Sequence, residues 1–415
     1  MDDPTAPLPR PAIPEPRFGE FVVMIALMMG VTAFAVDSIL PALPLLGHDF
    51  SISDPNRLQL VVFVYMLGFG VAQLVFGPAS DIVGRRRAYL TGAAIFVAGS
   101  LLTLFARDLG TLLAARFVQG LGAAAGRVLS VTIVRDRFSG REMAKVMSLN
   151  MGIFITVPIL APAIGSLIML LGGRQAVFAA MLAVGLLLAL WFWRRMPETL
   201  ADANRMPFSV SRILAGMRLV ATTRVTVGYA TATGLLFGCV MGMVGSSQQI
   251  FTETFGLGPW FPLAFAAIAG SMGAASLVNS RLVGRFGMRR ISHASVVALT
   301  VLGLVQVAGA LAFAGKPPLF LFGLVLAASQ FLLGMAFPNF NALAMEPLGR
   351  VAGTGSSLLG VYTTLLGVLC GALMGHAFDG TVIPISAGYC ALASAAVAVI
   401  LVTERGRMFQ AHHHP

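Results

Sequence analysis

The chain has 415 residues, of which 57% are hydrophobic and only 11% charged, where soluble domains carry roughly 25%. A mean hydropathy of +0.86 excludes a large soluble protein built on twelve buried core helices. The net charge of +11 raises nucleic acid as a partner, and only the placement of the basic residues decides the matter.

In chain order, residues 1–18 read as a disordered cytoplasmic tail. Met1–Arg17 holds six prolines and two arginines, with no apolar core or cleavage site, so no signal peptide is expected. The first apolar segment, Phe21–Pro41, carries Asp37 near its far end. A carboxylate well inside hydrocarbon is costly and is rarely kept without a partner or a task. Next come Leu58–Ser80, Ala88–Ala106, Thr111–Val134 with Arg116 and Arg127, Val146–Gly173 and Gln175–Trp193. A charged stretch, Arg194–Arg224, follows with two prolines and six arginines. Within it Phe208, Val210, Ile213, Leu214 and Met217 alternate with Arg212 and Arg218 at helix-like spacing. That pattern suits an amphipathic helix on the membrane surface; a solvated linker is the alternative. Then come Val225–Thr252, Thr254–Ser280, Ala294–Gly315, Pro317–Met345, Val351–Phe378 and Gly380–Thr403. Each segment is long enough to cross ~30 Å of lipid at ~1.5 Å per residue. Apart from Asp37, Arg116 and Arg127 they are free of charge.

Twelve crossings place both termini on one side, and that side holds 22 of the 28 Lys and Arg. The other side has Arg57, Arg107, Arg174 and Lys316. The asymmetry predicts cytoplasmic termini and explains the basic balance without nucleic acid. The expected organisation is a six-helix bundle at 19–195, a linker at 196–223, a second bundle at 224–404 and a tail at 405–415. The halves echo each other: Asp81-Ile-Val-Gly84-Arg85-Arg86-Arg87 follows the second segment, and Gly284-Arg285-Phe286-Gly287-Met288-Arg289-Arg290 follows the eighth. Internal repetition of this kind builds many secondary transporters, with the site at the interface of the halves. Cys239, Cys370 and Cys390 lie inside apolar segments without metal-ligand spacing and read as inert thiols.

At these residues the chain resembles the major facilitator superfamily. Gly77-Pro-Ala-Ser-Asp81-Ile-Val-Gly84-Arg85-Arg86-Arg87 is similar to its loop signature between helices two and three. Leu112-Leu-Ala-Ala-Arg116-Phe-Val-Gln119-Gly120-Leu-Gly122 resembles its helix-four signature. Gly152 through Pro158-Ile-Leu-Ala-Pro162-Ala-Ile-Gly165 resembles the antiporter motif of helix five. Asp37-Ser-Ile-Leu-Pro41-Ala-Leu-Pro44 resembles the first-helix signature of twelve-helix drug:proton antiporters. Pro338-Asn339, Ala344-Met-Glu346-Pro347 and Gly353–Ser357 resemble the bicyclomycin-resistance (Bcr/CflA) branch. The resemblance implies an all-α membrane protein of twelve helices in two pseudo-symmetric six-helix bundles. It implies a proton-coupled efflux antiporter of a bacterial inner membrane, with both termini cytoplasmic. It also implies that Asp81, within Gly77, Gly84, Arg85 and Arg86, latches the halves in the outward-open state.

Physical reasoning assigns the residues further. Arg116 and Arg127 are eleven apart and so share nearly one helix face with Gly120 and Ala123. Counting rise along their helices puts Asp37 and Arg116 at one depth. Asp37 and Arg116 are expected to communicate across an aqueous cavity, burial penalising the carboxylate's charge and the guanidinium favouring it. Arg116 has an alternative as a structural residue bonded to backbone carbonyls and Gln119. Arg127 either attracts anionic or zwitterionic substrates or snorkels toward the inner headgroups. The N-terminus of helix eleven, near Gly353–Ser357, offers amides to Asp81. Pro158 and Pro162 should kink helix five, and Gly152 and Gly165 should let it pack closely. Gln119, Gln248, Gln249, Asn339, Asn341 and Tyr362 are candidate cavity groups, with helix–helix contacts as the competing use.

A chain rich in Met and Phe (21 and 29) suits loosely specified amphipathic substrates. Import, or dedicated export of a metabolite or siderophore, is the competing transport reading. No phosphate loop, HExxH, Cys/His cluster or Gly-x-Ser-x-Gly is present, so an enzyme or an ATP-driven pump is not expected. The expected partners are a small-molecule substrate, protons as the coupling ion and the lipid bilayer. No cofactor and no metal are expected, and the chain should be a monomer.

Overall fold

The computed structural model describes residues 15–200, 205 and 210–410. Eleven helical stretches among them are long and apolar enough to cross a membrane, from Phe18–Asp49 to Ile383–Thr403. The longest, Gly140–Arg195, has 56 residues and breaks at Gly172 and Gly173. Gly173, at φ +62° and ψ −148°, takes a conformation that only glycine adopts without strain. The break makes two crossings of one stretch, and the total is twelve. Helices prevail because a crossing segment must satisfy every backbone polar group within itself.

The first bundle consists of α1 (Phe18–Asp37) with its short continuation α2 (Leu43–Asp49), α3 (Leu60–Val83), α4 (Arg85–Leu104), α5 (Leu109–Arg137) and the two limbs of α6 (Gly140–Arg195). After α7 (Val210–Thr222), the second bundle holds α8 (Arg224–Gln248), α9 (Phe261–Phe286), α10 (Met288–Ala312), α11 (Leu319–Met345), α12 (Ala352–His376) and α13 (Ile383–Thr403). Their repetition is visible at the turns joining α3 to α4 and α9 to α10. Gly84 (φ +96°) and Gly287 (φ +79°) sit at equivalent places there, each letting one helix end and the next begin at once. The halves meet where α3 lies along α12 and α6 along α9.

Three boundaries differ from the sequence reading. The first crossing continues beyond Pro41 through a 3₁₀ turn, Leu40–Ala42, into α2, because Pro44 starts a helix as readily as it ends one. The eighth crossing starts at Phe261, not Thr254. Gly256 (φ +67°) and Gly258 (φ +49°) with Pro259 form a turn there, which an apolar run disguises. The linker contains a helix, α7, packed against α8 and α12, although Phe208 of the amphipathic pattern lies outside the described residues.

The tightest packing joins α3 to α5. A Cβ on Gly120 would fall inside contact distance of the Tyr65 carbonyl oxygen, and one on Gly68 would strike the Phe117 carbonyl. Backbone cannot move aside as a side chain can. Gly120→Ala is therefore expected to force α3 and α5 apart and sharply reduce monodisperse, folded protein in size-exclusion profiles. A parent-like profile and melting curve would show that the crossing is not this close.

Candidate functional site

Asp37 is the last residue of α1 and stands at the break between that helix and the 3₁₀ turn at Leu40–Ala42. It is 4% exposed, and its carboxylate has no hydrogen bond or ion pair among the described residues. The neighbouring Ser38 hydroxyl is buried and unsatisfied. Buried polar groups are normally paired, so an unpaired acid beside an unpaired hydroxyl marks a place for water or ligand. Helix α6 reaches the same point. A Cβ at Gly165 would strike the Ser38 carbonyl, so this glycine brings α6 against the Asp37 break.

Arg116 is wholly buried and does not face a cavity shared with Asp37. Its Nη2 donates to the Ala35 carbonyl at 3.0 Å, Nε to the Val61 carbonyl at 3.1 Å, and Nη1 to Gln119 Oε1 at 2.5 Å. The guanidinium also lies 4.4 Å from the centre of the Tyr65 ring. These partners replace the aqueous cavity expected between the two charges. The cause is the ending of α1 at Asp37: its last carbonyls lack intrahelical donors, and Arg116 supplies one to Ala35. Arg116 thus pins the backbone two residues before the acid. Gln119 belongs to the same knot, donating to Ser100 Oγ at 2.8 Å, and does not line a cavity.

Arg127 behaves differently. It shares a face of α5 with Arg116, Gly120, Ala123, Ser130 and Val134, all buried, yet it is itself exposed and has no partner among the described residues. That face is flanked by α1, where Gly126 packs on Met28 and Ser130 approaches Ile25, and by α3 at Tyr65. Arg127 thus stands exposed between the contacts that α5 makes with α1 and with α3.

The remaining candidates divide. Asn339 donates to Asn279 Oδ1 and to the Met335 carbonyl, both at 2.7 Å, so it holds α11 to α9 and is not a cavity group. Asn341, two residues on, is exposed. Tyr362 is 44% exposed and its hydroxyl meets Thr231 Oγ1 at 3.0 Å. Gln248 lines a 430 Å³ cavity on the face opposite the termini, with Gln59, Gln249 and Glu253. Beside that cavity an amide clasp joins the two bundles. Asn56 Nδ2 donates to the carbonyls of Phe378 (2.8 Å) and His376 (3.2 Å), and Gln249 Nε2 to Asn56 Oδ1 (2.9 Å). Gln59 Nε2 donates to the Gly375 carbonyl (3.1 Å) and to Gln249 Oε1. This face is closed, and none of its bonds involves a titratable side chain.

On the face bearing the termini, Asp81 pairs with Arg85 at 2.5 Å, and the described contacts do not carry it to α12. Arg85 also donates to Asp136 Oδ2 (2.9 Å) and Ser80 Oγ (2.8 Å), and proximity along the chain favours this ion pair over a distant helix end. Glu198 accepts from the amides of Arg85 (2.8 Å) and Arg86 (3.2 Å), filling the start of α4, and Arg86 Nη2 donates to the Trp193 carbonyl (2.7 Å). Gly77 still touches α12, against Ser357. In the α6 motif Pro158 and Pro162 lie inside the helix. Gly152, unlike Gly165, meets open space and is not a packing position: thirteen residues at ~100° each put the two on different faces.

The second bundle has a buried polar cluster that its sequence did not announce. Tyr229 donates to Glu404 Oε1 at 2.5 Å and meets His293 Nε2 at 3.0 Å, while Arg289 Nε donates to Glu404 at 3.1 Å. Three helices, α8, α10 and α13, bring these residues together, and no local spacing reveals that. Burial pushes Glu404 up, but the hydrogen bonds from Tyr229 and Arg289 outweigh it and hold the carboxyl below its ordinary 4.5. A depressed carboxylate contributes stability that is fully present above 4.5 and lost as pH falls through its lower folded value. Glu404→Gln should therefore melt earlier than the parent at neutral pH, the two curves converging in acid. A gap that stays constant into acid would contradict this.

The model of the Major Facilitator Superfamily matches residues 25–372. The chain is 32% identical over 376 residues to the MFS-type transporter YdgK of Bacillus subtilis strain 168, covering 86% of this chain and 90% of that protein. It is 28% identical over 388 residues to a bicyclomycin resistance protein homolog of Haemophilus influenzae, covering 90% and 94%. It is 30% identical over 332 residues to the multidrug resistance protein MdtL of Citrobacter koseri, covering 79% and 81%. A partially occluded inward-open structure of the xylose transporter XylE from E. coli superposes with a TM-score of 0.71 over 92% of this chain and 97% of that one, at 12% identity. Twelve crossings, repeated Gly84 and Gly287 turns and these matches agree: the chain belongs to the Major Facilitator Superfamily.

Proposed function

We propose that this protein is a proton-coupled efflux antiporter of the bacterial inner membrane that exports small amphipathic compounds by alternating access. The observation that carries the reading is Asp37: a buried carboxylate without a partner among the described residues, at a helix break beside the unpaired Ser38 hydroxyl. A static ion pair would have its cation; this acid has none among the described residues, and the C-terminal end of a helix is itself unfavourable for negative charge. Neutral while sealed and ionised when water reaches it, Asp37 carries the proton. Relatives named for multidrug and bicyclomycin resistance support export of drug-like molecules. The basic residues on the terminal face support cytoplasmic termini. With the amide clasp bridging the bundles on the face opposite the termini, this reading puts the opening on the terminal face, the side of Arg127. The working unit in this reading is a monomer.

The test is a proteoliposome loaded with a pH-sensitive dye and challenged with a compound panel. Proton flux evoked by amphipathic compounds in vesicles holding the protein, and not in empty ones, is the expected result. Compound movement unaffected by a pH gradient would overturn proton coupling.

A further inference from the structure

We propose that Arg127 makes the inward cleft selective for substrates carrying an anionic group, a carboxylate or sulfonate on an apolar body. The proposal rests on the transport reading above and names its substrate class. The membrane interior of the first bundle contains three charges: Asp37, Arg116 and Arg127. Arg116 has its donors taken up in place by two carbonyls and Gln119, with the Tyr65 ring over its guanidinium. Asp37 lies elsewhere. It is 19 residues along α1 from Phe18, whereas Arg127 is ten residues from the terminal end of α5, which separates them by roughly 13 Å along the membrane normal.

Of the acids near the terminal end of this bundle, Glu142 lies exposed in the first turn of α6, and five others are engaged. Glu15 pairs with Arg137, Glu20 with Arg195, and Asp81 and Asp136 with Arg85, while Glu198 sits on the amides of Arg85 and Arg86. Arg127 is therefore a cation on the buried face of α5 that the described chain leaves uncompensated. Apolar walls strengthen its field, and an unpaired guanidinium inside a protein is stabilised by any anion that enters. Its fork of donors matches a carboxylate or sulfonate in two parallel hydrogen bonds. A cationic amphiphile meets only repulsion there.

The experiment measures equilibrium binding to the full chain in lipid nanodiscs at pH 7.5 without any proton gradient. The probes are nalidixate, its uncharged methyl ester and tetraphenylphosphonium. Nalidixate is expected to bind about tenfold or more tightly than the ester, the scale of one hydrogen-bonded charge. Arg127→Gln should erase that difference, and Arg127→Lys should retain part of it with an unchanged melting curve. Any result in which the anion does not outbind the ester, or in which its advantage survives Arg127→Gln, overturns the proposal. Because no gradient is applied, the outcome is independent of proton coupling. A carboxylate preference that depends on Arg127 in a protein showing no proton flux would refute the antiporter reading and leave this one standing.

Discussion

Asp37→Asn is expected to abolish proton-driven transport while leaving the protein folded, with a melting temperature equal to the parent's or higher. The side chains are nearly the same size, and the carboxylate that is removed has no hydrogen bond or ion pair among the described residues. Nothing structural is lost, whereas a residue holding a helix together leaves orphaned partners behind when it goes. Uptake driven by a pH gradient should fall to that of empty vesicles. Exchange of substrate for substrate, which needs no proton movement, should persist. Gradient-driven uptake surviving in Asp37→Asn would assign the proton to another group.

Arg116→Ala should have the opposite signature: a large loss of stability that precedes any question of transport. The change orphans the Ala35 carbonyl and the Gln119 amide oxygen in a buried setting and strips the Val61 carbonyl of its second donor. Each unsatisfied group costs about 1–3 kcal/mol, and native stabilities are only about 5–15 kcal/mol. Arg116→Lys should rescue little, because one ammonium on a flexible stem cannot serve three acceptors held in different directions. Melting curves in detergent decide it: an Arg116→Ala protein as stable as the parent would remove the structural role. Partial transport in Arg116→Lys, scaled to the folded fraction, is consistent with pinning the Asp37 break.

Depth was legible in the sequence and direction was not. Hydropathy and the rise of a helix put Asp37 and Arg116 at one level, but only the break at Asp37 shows that the Ala35 carbonyl is free to take the guanidinium. Spacing put Arg127 on the face of Arg116, whereas its exposure on that buried face is a property of packing. Gly152 and Gly165 look alike in a motif and differ in what stands opposite each one. The amide clasp of Asn56, Gln59 and Gln249 joins residues about 190 apart in the chain, and the Glu404 cluster draws on three helices. Such long-range pairings leave no periodic trace. The twelve crossings did, because a membrane imposes the same length and composition on each.

Proton exchange at Asp37 is the central step, and the most direct measurement of it is proton release from unbuffered, detergent-solubilised protein when a transported compound is added. The parent should release protons in proportion to compound bound, and Asp37→Asn should release none while still binding. Release of equal size from Asp37→Asn would contradict the central claim.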